Sequence, residues 1–292
     1  MKKLIQKHVL MTYFILAYFI SWGGILLSFG ADGIRIFQGE NVLTQGFSRQ
    51  LLFIWLAMLA GPGIAGILLT GITDGRKGLR KLFASIINWN VHIKWYVAAL
   101  LIVPLILWIV FFSFSLVMPK FFPASLFGFG IAVGLIGGFF EEIGWTGFAL
   151  PQLQKRYSSF KSAVILGVIH TFWHLLSDSL GSINLYKELY VLHFFLWILA
   201  LTAFRVLAVW IYNHTGSILL AQLAHAGFTG GQIMLTPPGL NGVENVTWYA
   251  IFTILLCILA CVILYKDRKM FFPKENKDRR RWVSVQRHEI GC

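Results

Sequence analysis

Two adjacent glutamates, Glu141 and Glu142, stand in the middle of an apolar run long enough to cross a bilayer. Acid at that depth costs roughly 2.5 kcal/mol or more on insertion scales unless it faces protein or water, so it is usually kept for a function. The other acids (Asp32, Glu40, Asp74, Asp178, Glu188, Glu244 and those of the tail) fall in expected loops, helix ends or termini. Histidines occupy two further apolar runs: His170 and His174, four apart, and His225. A carboxylate in an apolar pocket can take a proton from water and return it, and an imidazole can share that water or stabilise an oxyanion. Two histidines and a glutamate are also a plausible zinc set, here His174, His225 and Glu141, with His170 as a spare. The spacing of His170 and His174 matches HExxH, but Thr171 stands where that motif has glutamate. Hydrolysis with no cofactor or with zinc is the chemistry these residue types offer.

Such residues need a frame to hold them, and composition says which kind. The chain is 57% hydrophobic and 13% charged, with a mean hydropathy of +0.72. A soluble domain carries about 25% charge, so an all-α polytopic membrane protein is expected. The net charge of +13 therefore points to a membrane surface and not to nucleic acid. Cys257, Cys261 and Cys292 provide neither a disulfide framework nor a CxxC metal pair.

Hydropathy divides the chain into about eight spans: residues 8–30, 51–73, 95–118, 126–150, 162–177, 189–212, a seventh between Gly216 and Pro237, and 246–265. Residues 1–265 form one integral membrane domain and 266–292 a basic tail. Gly61-Pro62-Gly63 interrupts the second span as a kink or as a lining of the interior. Eight spans leave both termini on one side. Most Lys and Arg lie at those termini and in the loops after spans two and four, so that side is expected to be cytoplasmic. The cell membrane of a bacterium is the expected location.

Depth brings the polar residues together. At about 1.5 Å per residue, Glu141, Glu142, His174 and His225 all lie roughly 13–18 Å from the basic face. A water-filled cavity open to that face is expected between spans four, five and seven, with Thr171 and Ala221 a turn from the polar set. Glu142 continues the row Gly130, Gly134, Gly138, which permits close helix contact, so packing is an alternative role for it. Two adjacent carboxylates in a low dielectric do not both ionise without a nearby cation. Arg205 in span six, at roughly 12 Å depth, is a candidate partner for Glu142; the alternative is that it snorkels to the headgroups.

Three blocks then carry a resemblance. Glu141-Glu142-Ile143-Gly144-Trp145-Thr146-Gly147-Phe148-Ala149-Leu150-Pro151, Thr171-Phe172-Trp173-His174, and the run from Ile211-Tyr212-Asn213 to Ala224-His225 resemble the CPBP family of CAAX proteases and bacteriocin-processing enzymes, often called Abi. The resemblance covers about Gly137–Thr229. It implies membrane endoproteolysis, with Glu141 and His174 activating water, Glu142 beside them, and His225 helping to stabilise the oxyanion. It also implies a lipid bilayer and a membrane-associated, in some members prenylated, peptide substrate as partners. Three positions depart from the family pattern: Thr146 replaces an arginine, His170 an aromatic and Thr229 the last residue of the third motif. Thr229 can still donate a hydrogen bond in support of the oxyanion. The rival expectation is a catalytically silent relative that serves as a membrane binding, immunity or scaffold protein.

Overall fold

The computed structural model describes residues 6–29, 49–124 and 127–273, and among them the chain is helical with no β-strand. Eight long helices follow one another: α1 (Val9–Phe29), α2 (Arg49–Ile86), α3 (Ile93–Ser115), α4 (Phe127–Gly144), α5 (Ser159–Tyr186), α6 (Tyr190–Thr215), α7 (Ile218–Leu235) and α8 (Gly242–Lys266). Six helical segments are long and apolar enough to cross a membrane. One of these, Ser159–Thr215, is α5 and α6 folded back on each other at Lys187, whose φ is 48°. Helix α4 has 18 residues, about 27 Å, and runs on through a π turn (Trp145–Ala149) to a short helix ending at Gln154. The chain is an all-α polytopic membrane protein. The tail from residue 274, with Cys292, lies outside the described residues.

Local sequence explains where these helices begin and stop. Ser158 and Ser217 accept the backbone N–H of Lys161 and Leu220 as N-caps of α5 and α7, and Asn241 forms a capping box with Glu244 at α8. Gly216, at φ 62°, closes α6 in the left-handed conformation. The second span was expected to end near residue 73, but α2 continues to Ile86. It breaks only at Gly75 (φ 64°, ψ −155°), which lets the basic residues Arg76–Lys81 turn away as their own helical stretch. Pro62 sits inside α2 without ending it, and the glycines beside it serve contact: a Cβ on Gly63 would lie 2.9 Å from the Phe140 carbonyl oxygen, and one on Gly66 2.9 Å from the Gly144 Cα.

Helix α4 packs most closely on α7. Cβ atoms on Gly130 and Gly134 would come within 2.8 Å and 2.7 Å of α7 backbone oxygens, and one on Gly138 would collide with that of Gln222. Small residues at i, i+4 are the membrane route to such close approach, because lipid gives helices no hydrophobic drive to associate.

The two ends of the bundle differ. At one, side chains tie loops together: Ser85 Oγ donates to Gly216 O (2.5 Å), Ser217 Oγ to Asn88 O (2.6 Å), and Gln154 Nε2 to Asn213 Oδ1 (3.0 Å). This end carries Arg76, Lys77, Arg80, Lys81, Lys155, Arg156, Lys161, Lys266, Arg268 and Lys269. At the other end lie Lys120, ion-paired with Glu244, and the α5–α6 turn.

Gly134→Leu is expected to destabilise the protein in detergent by at least the 1–3 kcal/mol or so typical of overpacking. Gly128→Ala, with open space around the new Cβ, should leave the thermal midpoint within a degree or two of the parent.

Candidate functional site

Four helices deliver the polar residues to one point: Glu141 and Glu142 from α4, His170 and His174 from α5, Arg205 from α6 and His225 from α7. Arg205 and Glu142 are both fully buried at 0% exposure. Arg205 does not snorkel. Its Nη1 donates to Glu142 Oε2 (2.8 Å) and its Nη2 to Oε1 (2.7 Å), the two-pronged geometry that a guanidinium and a carboxylate share. Thr146, one turn after Glu142, donates its hydroxyl to Oε2, and His225 Nδ1 lies 2.7 Å from Oε1. Each oxygen of Glu142 thus accepts two hydrogen bonds, and no lone pair is left for water.

Direction can be read along the same network. Arg205 Nη2 also lies 2.7 Å from His170 Nδ1. A guanidinium only donates, so Nδ1 accepts and the ring proton sits on Nε2. That Nε2–H donates to Glu141 Oε2 at 2.9 Å. By the same logic His225, donating Nδ1–H to Glu142, holds its Nε2 lone pair 3.9 Å from Glu141 Oε2.

Glu141 is the carboxylate with capacity to spare. One histidine meets its Oε2, while a Cβ built on Gly137, a turn away, would have Glu141 Oε1 as its nearest neighbour at 4.0 Å. His174 is half-buried and makes no side-chain hydrogen bond among the described residues; its ring stacks on His170 (5.1 Å) and lies tilted against Trp197 (5.1 Å). Glu141, His170 and His174 have one nitrogen or oxygen each within 4.8 Å of one another, a span that a single bridging water covers.

The same trio is the closest candidate metal set among the described residues. His170 fits that role poorly. Coordination through Nε2 would move its proton to Nδ1, against the Arg205 N–H donor. His225 suits a ligand better, since its Nδ1–H is oriented by a carboxylate as a metal-binding histidine's usually is. It stands outside the close group, so the expected set His174, His225 and Glu141 is not assembled as such.

Other sequence expectations meet different geometry. Thr171 and Ala221, expected beside a water-filled cavity, are both 0% exposed; Thr171 is turned back onto the Gly167 carbonyl. Thr229 lies one turn beyond His225, half-buried, with no hydrogen bond to the site among the described residues. His170 is the residue whose place in the network the sequence did not reveal. Its i, i+4 spacing to His174 was the available signal.

Comparison with known proteins meets this geometry at the same residues. Residues 123–230 match the family model of type II CAAX prenyl endopeptidase Rce1-like proteins. CAAX prenyl protease 2 of Methanococcus maripaludis is 32% identical over 146 residues, which cover 48% of this chain and 50% of that protein. The middle of the chain, residues 123–230, is thus similar to CAAX prenyl endopeptidases. It spans about half the length of that curated relative. All the polar residues described above lie inside the matched segment. The CAAX-family arginine position, Thr146, keeps a hydrogen bond to Glu142, while the positive charge arrives from α6.

Arg205→Leu is expected to cost about 3–5 kcal/mol by stranding a buried carboxylate. Arg205→Leu with Glu142→Gln should recover part of that loss in detergent unfolding, and Thr146→Arg should rescue Arg205→Leu in part. Strictly additive losses would show the two residues to be energetically uncoupled.

Proposed function

We propose that the protein is an intramembrane endopeptidase of the CAAX type, hydrolysing a peptide bond of a membrane-associated substrate. The observation that carries this reading is the division of labour between adjacent glutamates. Glu142 is saturated by Arg205, Thr146 and His225, whereas Glu141 takes a single imidazole hydrogen bond, from His170, and lies within 4.8 Å of the uncommitted ring of His174.

A water held between Glu141 and His174 gives its proton to Glu141, and the hydroxide adds to the peptide carbonyl carbon. The tetrahedral oxyanion is met by the ring N–H of His174, and His225, held at Nδ1 by the Glu142 carboxylate, borders the same point. Glu141 then returns the proton to the departing amine, and the C–N bond breaks. Glu142, Arg205 and Thr146 position these groups. Thr229, a turn from His225, has a hydroxyl that can reach substrate on the same side.

The reading includes no resident metal. The donor types for zinc are at hand, but the direction of the His170 hydrogen bonds works against ligation. The position of Arg205 also weakens the case for a silent relative, because the cation absent at residue 146 is supplied from elsewhere. The cell membrane of a bacterium, with the basic end and both termini cytoplasmic, is the proposed setting.

The test is cleavage by purified protein in detergent, with prenylated and unmodified apolar peptides as substrates. Glu141→Ala and His174→Ala should each lower the rate by at least a thousand-fold while the protein still inserts and unfolds at its normal temperature. Wild-type rates in either variant would exclude the mechanism. Activity should survive strong chelators; one equivalent of tightly bound zinc, lost in His225→Ala, would instead make the enzyme a metalloprotease.

A further inference from the structure

At the basic end, α2 does not stop where its membrane span does. Gly75 turns the chain, and residues 76–86 continue as a separate helical arm. The arm folds back on the span it leaves: a Cβ on Gly71 would meet Leu79 Cδ1 at 3.6 Å, and one on Gly78 would meet Thr70 Cγ2 at 3.1 Å. Leu82, Ser85 and Ile86 are buried, while Arg76, Lys77, Arg80, Lys81 and Phe83 are exposed. Residues 75–94 hold five Lys and Arg and no acid, so nothing within the segment neutralises it.

The exposed face has an order of its own. Arg76, Arg80, Phe83 and Ile87 are spaced i, i+4, i+7 and i+11, which puts two guanidinium groups and two apolar side chains in one row. Ile87 stays in that row because its N–H still reaches the Phe83 carbonyl (3.3 Å). Lys77 and Lys81 form a second row. Just beyond, Trp89 is 73% exposed, as Ile87 is at 71%. Large apolar groups left bare beside cations, past the end of a span, suit a helix lying in the membrane interface.

Other occupants fit this face less well. The terminal segments outside the described residues, 1–5 and 274–292, carry eight Lys and Arg against three acids, so their charge opposes contact with it. A second copy in a two-fold contact would present the same cations. The buried face, meanwhile, connects the arm to the polar centre. A Cβ on Gly147 would lie 2.6 Å from Leu82 Cδ1 and 3.0 Å from Ile218 Cδ1, so both side chains close on the π turn that follows Glu142. Ser85 Oγ donates to the Gly216 carbonyl and accepts the N–H of Ile218 (3.2 Å), the first residue of the helix that carries His225.

We infer that the arm is a seat for anionic phospholipid, with headgroup phosphates held by Arg76, Lys77, Arg80 and Lys81 and acyl chains against Phe83 and Ile87. Its occupation clamps the π turn and the start of α7. The partner is a negatively charged lipid surface, which such polybasic segments meet through their phosphates. The inference is independent of the reaction that the polar centre performs.

The experiment compares the full chain in phosphatidylcholine vesicles with the full chain in vesicles of equal parts phosphatidylcholine and phosphatidylglycerol. Phosphatidylglycerol should raise the thermal midpoint by about 3 °C or more and slow amide exchange at residues 216–220. Arg76→Gln, Lys77→Gln, Arg80→Gln and Lys81→Gln together should leave the midpoint in phosphatidylcholine unchanged and remove most of both effects. Lys155→Gln, Arg156→Gln, Arg268→Gln and Lys269→Gln together remove the same charge at the same end and should keep both. Phe83→Asn with Ile87→Asn should weaken the response although every cation remains. Inorganic phosphate added to the phosphatidylcholine vesicles should not reproduce it. If the fourfold arm variant does not fold, Arg80→Gln and Lys81→Gln are tested singly, and each should lower the response. Arm variants that respond like the parent, an equal loss in the control variant, or a rise with phosphate alone would overturn the inference.

Discussion

A carboxylate and a guanidinium, both with no exposure, face each other at the centre of the bundle. Neither ion tolerates hydrocarbon alone, and their mutual attraction offsets desolvation only when the remaining lone pairs and protons are also met. Glu142 reaches that state because α4, α6 and α7 each contribute a donor to it. Any displacement of one helix against another leaves a charge unmet, so the pair fixes three helices in register. Glu141 and His225 are placed as a by-product of that fixation.

Such fixation requires the backbones to come close, and small residues provide for it. Gly134 and Gly138 bring α4 against α7, and Gly63 and Gly66 bring α2 against α4. Pro62 shows the same economy: its missing N–H is absorbed in a helix whose glycine-flanked turn lies against the carbonyl of Phe140. The π turn at Trp145–Ala149 follows directly on Glu142 and Gly144. It places Trp145, Thr146, Phe148 and Ala149 in the interior of the bundle.

Much of this was legible before any coordinates. Charged residues in apolar runs announce themselves, so Glu141, Glu142, His174, His225 and Arg205 could be singled out by type and depth. Depth, however, is one coordinate, and a helix has two. Thr171 and Ala221 lie at the right level but point into packed core, because azimuth depends on which neighbour each face meets. His170 was hidden for a related reason. Its meaning comes from Arg205 and Glu141, 35 and 29 residues away, and nothing local to it distinguishes a relay from a packing histidine.

The hydrogen bond from His170 to Glu141 has a geometric consequence for any reacting carbonyl. It takes one of the two lone pairs of Oε2 and leaves both of those on Oε1, so a water is held chiefly on the Oε1 side, toward Gly137. A nucleophile confined to one side approaches a planar peptide group from a single prochiral face. A chain of L-residues lying in a groove exposes its two faces according to whether it runs one way or the other. The handedness of the substrate and the one-sidedness of Glu141 together therefore select a single N-to-C polarity for the bound strand.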